Sequence, residues 1–176
     1  MWASEGLSGI TNLTLLPYGN AHVVGGKVTC QHGDGECQGN RWEQCAIHHY
    51  PDPVQHFPFY LCMEKLGEAM LTGVQGCATQ ANMSYPTLQK CWGTATVPSA
   101  ESAMLQKSFG DRTPTHKYTP WVLVNNVWLD ISKAGNDIKK ATCAAWVAAG
   151  GKSPAGCASF DAPRTTPRAD LCKVQN

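Results

Sequence analysis

The side chains best suited to chemistry in this sequence are its nine cysteines. Two of them, Cys30 and Cys37, enclose the segment CQHGDGEC, which also carries His32. This block is compatible with a disulfide-stapled loop, with a second redox pair, or with a zinc site completed by His22 or Cys45. The spacing is longer than that of redox dithiols, and closed zinc sites normally show paired short spacings, so we favour the stapled loop. No metal and no organic cofactor is expected.

The remaining cysteines are interpreted as structural. Their positions are compatible with three further disulfides, namely Cys45–Cys62, Cys77–Cys91 and Cys143–Cys157, although spacing alone does not determine connectivity. At least one thiol must stay unpaired or pair with another chain, because nine is an odd number. Cys172, near the C-terminus, is left over by this assignment.

So many cysteines are typical of secreted or luminal proteins rather than of reduced cytosolic ones. Two N-glycosylation sequons, at Asn12 and Asn82, agree with that compartment. The first residues, MWASEGLSGI, have neither the basic start nor the long apolar stretch of a signal peptide. We therefore expect that an N-terminal segment of the natural protein precedes this sequence.

Composition narrows the function classes further. The chain has 176 residues, of which 43% are hydrophobic, so it suits one domain with a real core. Its formal net charge of +1 argues against nucleic-acid binding, because phosphate recognition needs a concentrated basic patch. No apolar stretch reaches the roughly 18 residues that a membrane span needs.

Short strands and several helices are predicted to position these residues. A strand is predicted over Asn12–Pro17, and a loop follows over Tyr18–Lys27. Helical patterns then cover about Asn40–His49, Phe57–Leu71, the segments around Cys77 and Thr87–Cys91, and Ser99–Phe109. A hairpin of Thr119–Val124 and Val127–Ile131 turns at Asn125–Asn126, and a last helix covers Asn136–Ala149. This order predicts an α/β or α+β domain with a helical insertion.

Four segments of the chain, in this order, resemble one protein family. They are NLTLLPYGNA at Asn12–Ala21, CQHGDGEC at Cys30–Cys37, Asn40 with Cys45, and HKYTPWVLVNN at His116–Asn126. Together they resemble the gamma-interferon-inducible lysosomal thiol reductase family over about residues 12–157. The most specific part is the family signature, formed here by Cys30, Gln31, His32, Gly33, Glu36 and Cys37.

The resemblance implies a thioredoxin-like fold with a helical insertion. The domain would cover residues 1–160, with the insertion at about 40–110, and residues 161–176 would form a polar tail. In that fold a cis-proline opens a strand and faces the redox dithiol, and Thr119–Pro120 occupies the matching position. Proline is tolerated as the first residue of a strand, and a strand edge can hold an extended peptide by backbone hydrogen bonds. Thr119 and Pro120 are therefore the predicted substrate groove.

The resemblance also implies an activity, partners and a compartment. The family reduces protein disulfides in lysosomal or other secretory compartments. The expected partners are therefore disulfide-containing or unfolded proteins, and the expected location is lysosomal, vacuolar or extracellular.

One departure from the family concerns the catalytic group itself. The family's C-x-x-C precedes the strand that contains NLTLLPYGN, and no C-x-x-C occurs in this sequence. Reduction needs a thiolate of lowered pKa and a second thiol that resolves the mixed disulfide. We therefore expect an N-terminally truncated domain, without the first strand and the start of the catalytic helix, that is inactive as it stands. The alternative is a redox-inactive secreted protein that binds peptides or serves as a disulfide-stapled structural module.

Overall fold

The computed structural model of the chain describes residues 6–135 and 137–160. Contacts between backbone positions divide it into two compact units. One unit is Asn12–Trp121, and the other consists of the described residues before and after that range. The predicted tail at 161–176 lies outside the described residues, and so does Cys172.

The unit Asn12–Trp121 is built from one short hairpin and a group of helices. Its elements are β1 (His22–Val24), β2 (Lys27–Thr29), α1 (Asp34–His49), α2 (Pro53–Leu66), a 3-10 turn (Gly67–Ala69), α3 (Met70–Gln80), α4 (Tyr85–Trp92) and α5 (Ala100–Arg112). The central element is α1, because α2, α3, α4 and α5 all pack against it. Its buried Trp42 and Cys45 meet Phe59, Met63 and Leu88 in one apolar core.

Helix α1 begins at Asp34 rather than at the predicted Asn40. Gly33, with φ 91°, leads the chain into the helix, and Asp34 and Glu36 place negative charge in its first turn. Carboxylates are stabilised there by the partial positive charge of the helix N-terminus. The helix ends before Pro51, as predicted, since proline cannot continue the backbone hydrogen bonding.

The helix predicted over Phe57–Leu71 and the short helix predicted around Cys77 are both present, as α2 and α3, but their bounds differ from the prediction. Helix α2 begins earlier, at Pro53, because the Asp52 carboxylate accepts a hydrogen bond from the Val54 N–H at 2.8 Å and proline is favoured in a first turn. It ends at Leu66, because the next residue, Gly67, has a φ of 51°, outside the helical range. Helix α3 follows after one 3-10 turn and packs against α2.

The predicted loop over Tyr18–Lys27 contains most of a β-hairpin. Strands β1 and β2 pair antiparallel, with Val23 opposite Val28. The turn between them is Gly25–Gly26, with φ of 56° and 79°. Two glycines between two short segments that contain valine are a recognised hairpin signal, so the sequence did contain the information.

The strand predicted over Asn12–Pro17 is wrong, because no residue of that segment belongs to a strand. Its alternating apolar residues serve helix packing instead. Leu16 packs against the helical core, and the Pro17 carbonyl accepts a hydrogen bond from Gln44 Nε2 at 2.7 Å. The segment is thus held along α1 and has no neighbouring strand as a partner.

The second unit contains the other hairpin and one helix. Its elements are a 3-10 turn (Leu7–Ile10), β3 (Val122–Val124), β4 (Val127–Leu129), α6 (Ile138–Ala148) and a second 3-10 segment (Ala155–Phe160). The predicted turn at Asn125–Asn126 is confirmed, and both residues have positive φ, 51° and 64°. The strands are shorter than predicted: β3 begins at Val122 rather than at Thr119, and β4 ends at Leu129 rather than at Ile131. Helix α6 packs against β3, and the Cys143–Cys157 disulfide meets Leu7 in a small core.

Four disulfides join the described cysteines: Cys30–Cys37, Cys45–Cys91, Cys62–Cys77 and Cys143–Cys157. The first and the last have the pairing expected from spacing. The predicted pairs Cys45–Cys62 and Cys77–Cys91 are wrong, and the partners are exchanged. Helix α1 brings Cys45 against α4, while α2 and α3 pack side by side and bring Cys62 to Cys77. Helix packing, rather than distance along the chain, selects the partners.

The described residues therefore form a mixed α/β structure in which helices predominate. Each of its two sheets is a two-stranded antiparallel hairpin. None of the described helices is long and apolar enough to cross a membrane.

Candidate functional site

The signature loop is a short disulfide-closed turn that leads into α1. Cys30 and Cys37 are both buried, and their Cα atoms are 5.6 Å apart. The Glu36 carboxylate accepts a hydrogen bond from the His32 backbone N–H at 2.7 Å and lies 3.2 Å from His32 Nδ1. The carboxylate thereby fixes the turn, whereas the His32 ring stays 75% exposed.

The zinc alternative for this loop is not supported by the geometry. Cys30 and Cys37 are bonded to each other, and Cys45 is bonded to Cys91. A zinc ion is bound by thiolates, which a disulfide does not offer. Among the described residues, a group that could hold a metal ion is His48, His49 and Glu101, on α1 and α5.

The turn Tyr18–Asn20 lies against the signature loop. Gly19 has φ 59°, and a Cβ added to it would lie 3.3 Å from Glu36 Oε1 and 3.9 Å from Thr119 Cγ2. Tyr18 packs on α5 where Gly110 has no side chain, since a Cβ on Gly110 would lie 2.9 Å from the Tyr18 ring. Close approach therefore favours glycine at Gly110, whereas at Gly19 the positive φ favours it.

A chain of hydrogen bonds joins this turn to two other segments. The Asn20 side-chain amide donates to Gln31 Oε1 at 2.5 Å, and Asn20 Oδ1 lies 2.9 Å from His116 Nε2. His116 Nδ1 donates to the Pro114 carbonyl at 2.8 Å. Because a carbonyl oxygen can only accept, His116 Nδ1 carries the hydrogen of this bond.

The predicted groove residues Thr119 and Pro120 are exposed, and they follow His116, the last residue of this series of hydrogen bonds, by three and four positions. The peptide bond between them is cis. Within the described residues, the backbone N–H and carbonyl of Thr119 have no hydrogen-bond partner. Tyr118 and Trp121 flank the pair with ring centroids 5.3 Å apart. Thr119 thus presents a backbone N–H and carbonyl that are unpaired among the described residues, here called the Thr119 edge, and it lies before the strand β3, which begins at Val122.

The structure thus brings the predicted residues into one area of the unit Asn12–Trp121. Gly19 links Glu36 of the signature to Thr119, and Asn20 links Gln31 to the segment that leads to Pro120. Sequence reasoning did not assign roles to Gly19, Asn20 or His116. They lie inside the segments PYGN and HKYTP, which carried the resemblance, and that was the available signal.

An open pocket of about 290 Å³ lies next to this area. Its wall is formed by the Tyr18–Gly19 turn, by Gly110 on α5 and by the segment Thr113–His116. The His116 ring therefore borders both the pocket and the hydrogen-bond chain. Gly19, which lines this pocket, also lies next to Thr119.

The strongest electrostatic perturbation lies in the helical core. Burial raises the pKa of the Glu43 carboxyl well above its usual range, and the charge of Glu64 and a hydrogen bond with it raise this pKa further. Burial also raises the pKa of Tyr60, with Glu43 and Glu64 adding to the shift. Glu43 Oε1 has no hydrogen-bond partner among the described residues. A protonated Glu43 that donates to Glu64 accounts for this arrangement.

Sequence comparison with known proteins points to one protein family. The family model described as gamma interferon inducible lysosomal thiol reductase matches residues 1–81. Relatives include a gamma-interferon-responsive lysosomal thiol protein of Arabidopsis thaliana, 32% identical over 133 residues, or 73% of this chain and 53% of that protein.

Two vertebrate relatives are named gamma-interferon-inducible lysosomal thiol reductase. The protein from Carassius auratus is 31% identical over 161 residues, which cover 86% of this chain and 61% of that protein. The protein from Mus musculus is 32% identical over 167 residues, which cover 88% of this chain and 62% of that protein. The chain thus spans between half and two thirds of the length of these three relatives. It belongs to the gamma-interferon-inducible lysosomal thiol reductase family.

Proposed function

We propose that this chain is the substrate-holding part of a thiol-disulfide oxidoreductase that reduces protein disulfides. The observation that carries the proposal is the exposed Thr119 backbone, which has no partner among the described residues and lies beside the signature loop. An extended peptide can add to such an edge by main-chain hydrogen bonds. The dithiol that performs the exchange would come from a part of the natural protein outside these 176 residues.

The fold that belongs to this proposal is thioredoxin-like. In it, residues 1–160 form one redox domain, the helices at about 40–110 are an insertion, and residues 161–176 are a tail. The domain as given would lack the first strand and the start of the catalytic helix. The relatives' greater length and the family membership support this view.

The proposed reaction is a thiol-disulfide exchange. One thiolate of the dithiol attacks a sulfur of the substrate disulfide, and the other substrate sulfur leaves as a thiolate. The second thiol of the dithiol then attacks the mixed disulfide, so the substrate ends with two thiols and the dithiol ends as a disulfide. An external thiol reductant restores the dithiol, and no metal or organic cofactor takes part.

The residues of this chain hold the substrate rather than react with it. The Thr119 N–H and carbonyl hydrogen-bond the substrate backbone, while Pro120 shapes the groove. Gly19 keeps the space between Glu36 and Thr119 free of a side chain. The Cys30–Cys37 disulfide staples the loop that supplies Glu36.

A location in the secretory pathway, whether lysosomal, vacuolar or extracellular, fits this function. Four disulfides persist best in an oxidising compartment. The sequon residues Asn12 and Asn82 are both exposed, so both are accessible to glycosylation. The partners we propose are unfolded or disulfide-containing proteins.

The alternative function is that of a redox-inactive secreted protein that binds peptides, or of a disulfide-stapled structural module. The specific observation in its favour is that the sequence contains no C-x-x-C, while the described cysteines are paired in disulfides. The peptide-binding form keeps the Thr119 edge, and the structural form does not use it.

The test begins with the reading frame upstream of Met1 in native transcripts. The longest natural product is then assayed for reduction of a disulfide-containing protein at acidic pH, with the 176-residue chain as its control. We expect turnover by a product that carries a C-x-x-C, and substrate binding without turnover by the shorter chain. If native transcripts encode no C-x-x-C and no product turns over substrate, the reductase proposal is wrong and the alternative replaces it.

A further inference from the structure

Two consecutive histidines at the end of α1 point to one carboxylate at the start of α5. His48 Nε2 and His49 Nε2 lie 3.4 Å and 3.1 Å from the same oxygen, Glu101 Oε1. All three atoms lie within 4.8 Å of one another. The residues come from two helices that pack against each other, so the cluster is set by the fold rather than by one flexible loop.

These distances match the edges of a metal coordination polyhedron. A zinc ion bound at about 2.0–2.1 Å by tetrahedral ligands has ligand atoms about 3.3 Å apart. The two nitrogen–oxygen distances, 3.4 Å and 3.1 Å, are already of this size. The third edge, between the two nitrogens, is at most 4.8 Å long. The three side chains are 28–46% exposed, so they have room to rotate and bring these two atoms closer.

The ligand set indicates which ions would fit. Two imidazoles and one carboxylate are typical of Zn²⁺ and neighbouring divalent transition metals, whereas Ca²⁺ and Mg²⁺ prefer all-oxygen ligands. The two rings lie edge to face, with centroids 5.0 Å apart, so one metal ion can take a nitrogen from each.

We propose that His48, His49 and Glu101 bind one divalent transition-metal ion of the zinc class. The ion has three protein ligands and one position open to water, and it clasps the end of α1 to the start of α5. The site uses no cysteine and is therefore independent of disulfide chemistry in this protein. The sequence predicted no metal site, because adjacent histidines at a helix end have no recognisable ligand spacing until α5 brings Glu101 to them.

The proposal is tested by titrating Zn²⁺ into the 176-residue chain with its disulfides formed, using isothermal titration calorimetry. All variants carry Cys172→Ser, which removes a thiol that is not in the described disulfides and could bind zinc by itself. We expect one Zn²⁺ per chain. We expect His48→Ala, His49→Ala and Glu101→Gln each to weaken binding at least about tenfold, because even the loss of a residue that only supports a ligand costs 10–100-fold. Zn²⁺ should also raise the unfolding temperature of the parent and not that of the variants.

The matched control is His32→Ala, because His32 forms a similar pair with Glu36, at 3.2 Å, with only two ligands. It should leave Zn²⁺ affinity unchanged. Imidazole ¹⁵N NMR tests the parent chain without substitution at the site, and the Nε2 signals of His48 and His49 should shift on Zn²⁺ addition. The proposal is overturned if the parent binds no Zn²⁺, if the His48 and His49 signals do not move, or if the alanine variants bind as tightly as the parent.

Discussion

His116 and Asn20 are 96 positions apart in the sequence, and their side chains meet at 2.9 Å. The same Asn20 side chain donates to Gln31 Oε1 at 2.5 Å. One amide therefore connects the segment that leads to Thr119 with the signature loop. Because the proposed groove and the signature loop share this amide, their relative position depends on a few side-chain hydrogen bonds.

A double-mutant cycle measures how strongly Asn20 and His116 are coupled. Each single change, Asn20→Ala or His116→Ala, removes partly buried hydrogen bonds and should lower the free energy of unfolding by about 1–2 kcal/mol. The double variant should lose less than the sum, with a coupling energy of about 0.5 kcal/mol or more. Urea denaturation of the four proteins measures these values.

Asn12 offers the control for that cycle, since it is exposed and lies in another part of the same segment. Asn12→Ala combined with His116→Ala should be additive within about 0.5 kcal/mol. If the Asn20–His116 cycle were additive as well, the hydrogen bond between these two side chains would contribute nothing to the free energy of unfolding.

Gly19 and Gly25 form a matched pair for testing the groove. Both have positive φ, 59° and 56°, but only Gly19 has neighbours where a Cβ would lie. Gly19→Ala and Gly25→Ala should each cost about 1–2 kcal/mol of stability through the backbone. Only Gly19→Ala should reduce binding of an unfolded, disulfide-containing peptide, because its methyl group would press on the Glu36 carboxylate and lie against Thr119. Fluorescence anisotropy with a labelled peptide measures the binding, and equal losses in both variants would contradict a groove at this place.

Features set by neighbouring residues were predictable from the sequence. The Asn125–Asn126 turn needs two residues that tolerate positive φ, and asparagine does so. Helix α5 begins where Ser99 accepts a hydrogen bond from the Ser102 N–H, close to the predicted start. In these cases the determining contact spans only a few positions, so a local pattern contains it.

Features set by packing were not predictable in the same way. The alternation in Asn12–Pro17 is equally compatible with a strand and with a segment packed along a helix, and only α1 decides between them. The partners of Cys45 and Cys62 depend on which helices are neighbours. For the candidate site, the resemblance indicated Thr119, Pro120 and the signature residues, but the contact of Asn20 with His116 required the fold.

The observed disulfide connectivity predicts an order of stabilities. In the chain-entropy model, Cys45–Cys91, with a separation of 46 residues, is worth about 4 kcal/mol, and Cys30–Cys37, with a separation of 7, about 2 kcal/mol. Replacing Cys45 and Cys91 by alanine should therefore destabilise the protein more than replacing Cys30 and Cys37, also because Cys45 and Cys91 are fully buried. Guanidinium denaturation measures the difference.

Peptide mapping under non-reducing conditions provides the control for that comparison. It should yield the fragment pairs Cys45–Cys91 and Cys62–Cys77. Recovery of Cys45–Cys62 and Cys77–Cys91 instead would contradict the packing of α1 with α4 and of α2 with α3.

The buried Glu43 carboxyl predicts that the helical unit is more stable in acid. Burial and the neighbouring Glu64 raise its pKa in the folded state above the unfolded value, so folding retains a proton that the unfolded chain releases. This contribution is fully present below the unfolded pKa of about 4.5 and is lost as the pH rises towards the folded pKa. Glu43→Gln keeps a neutral donor to Glu64, so it should reduce the fall in stability between about pH 5 and pH 7 and stabilise the protein at about pH 7.

Chemical denaturation at a series of pH values measures this effect. Glu68→Gln is the matched control, because Glu68 is exposed and should leave the pH profile of the parent unchanged. The unfolded parent releases a proton from Glu43, whereas the glutamine that replaces it does not titrate. The two stability curves should therefore converge at low pH and separate as the pH rises. Parallel curves for the parent and Glu43→Gln would mean that Glu43 is ionised in the folded protein, and its buried charge would then need a cation to balance it.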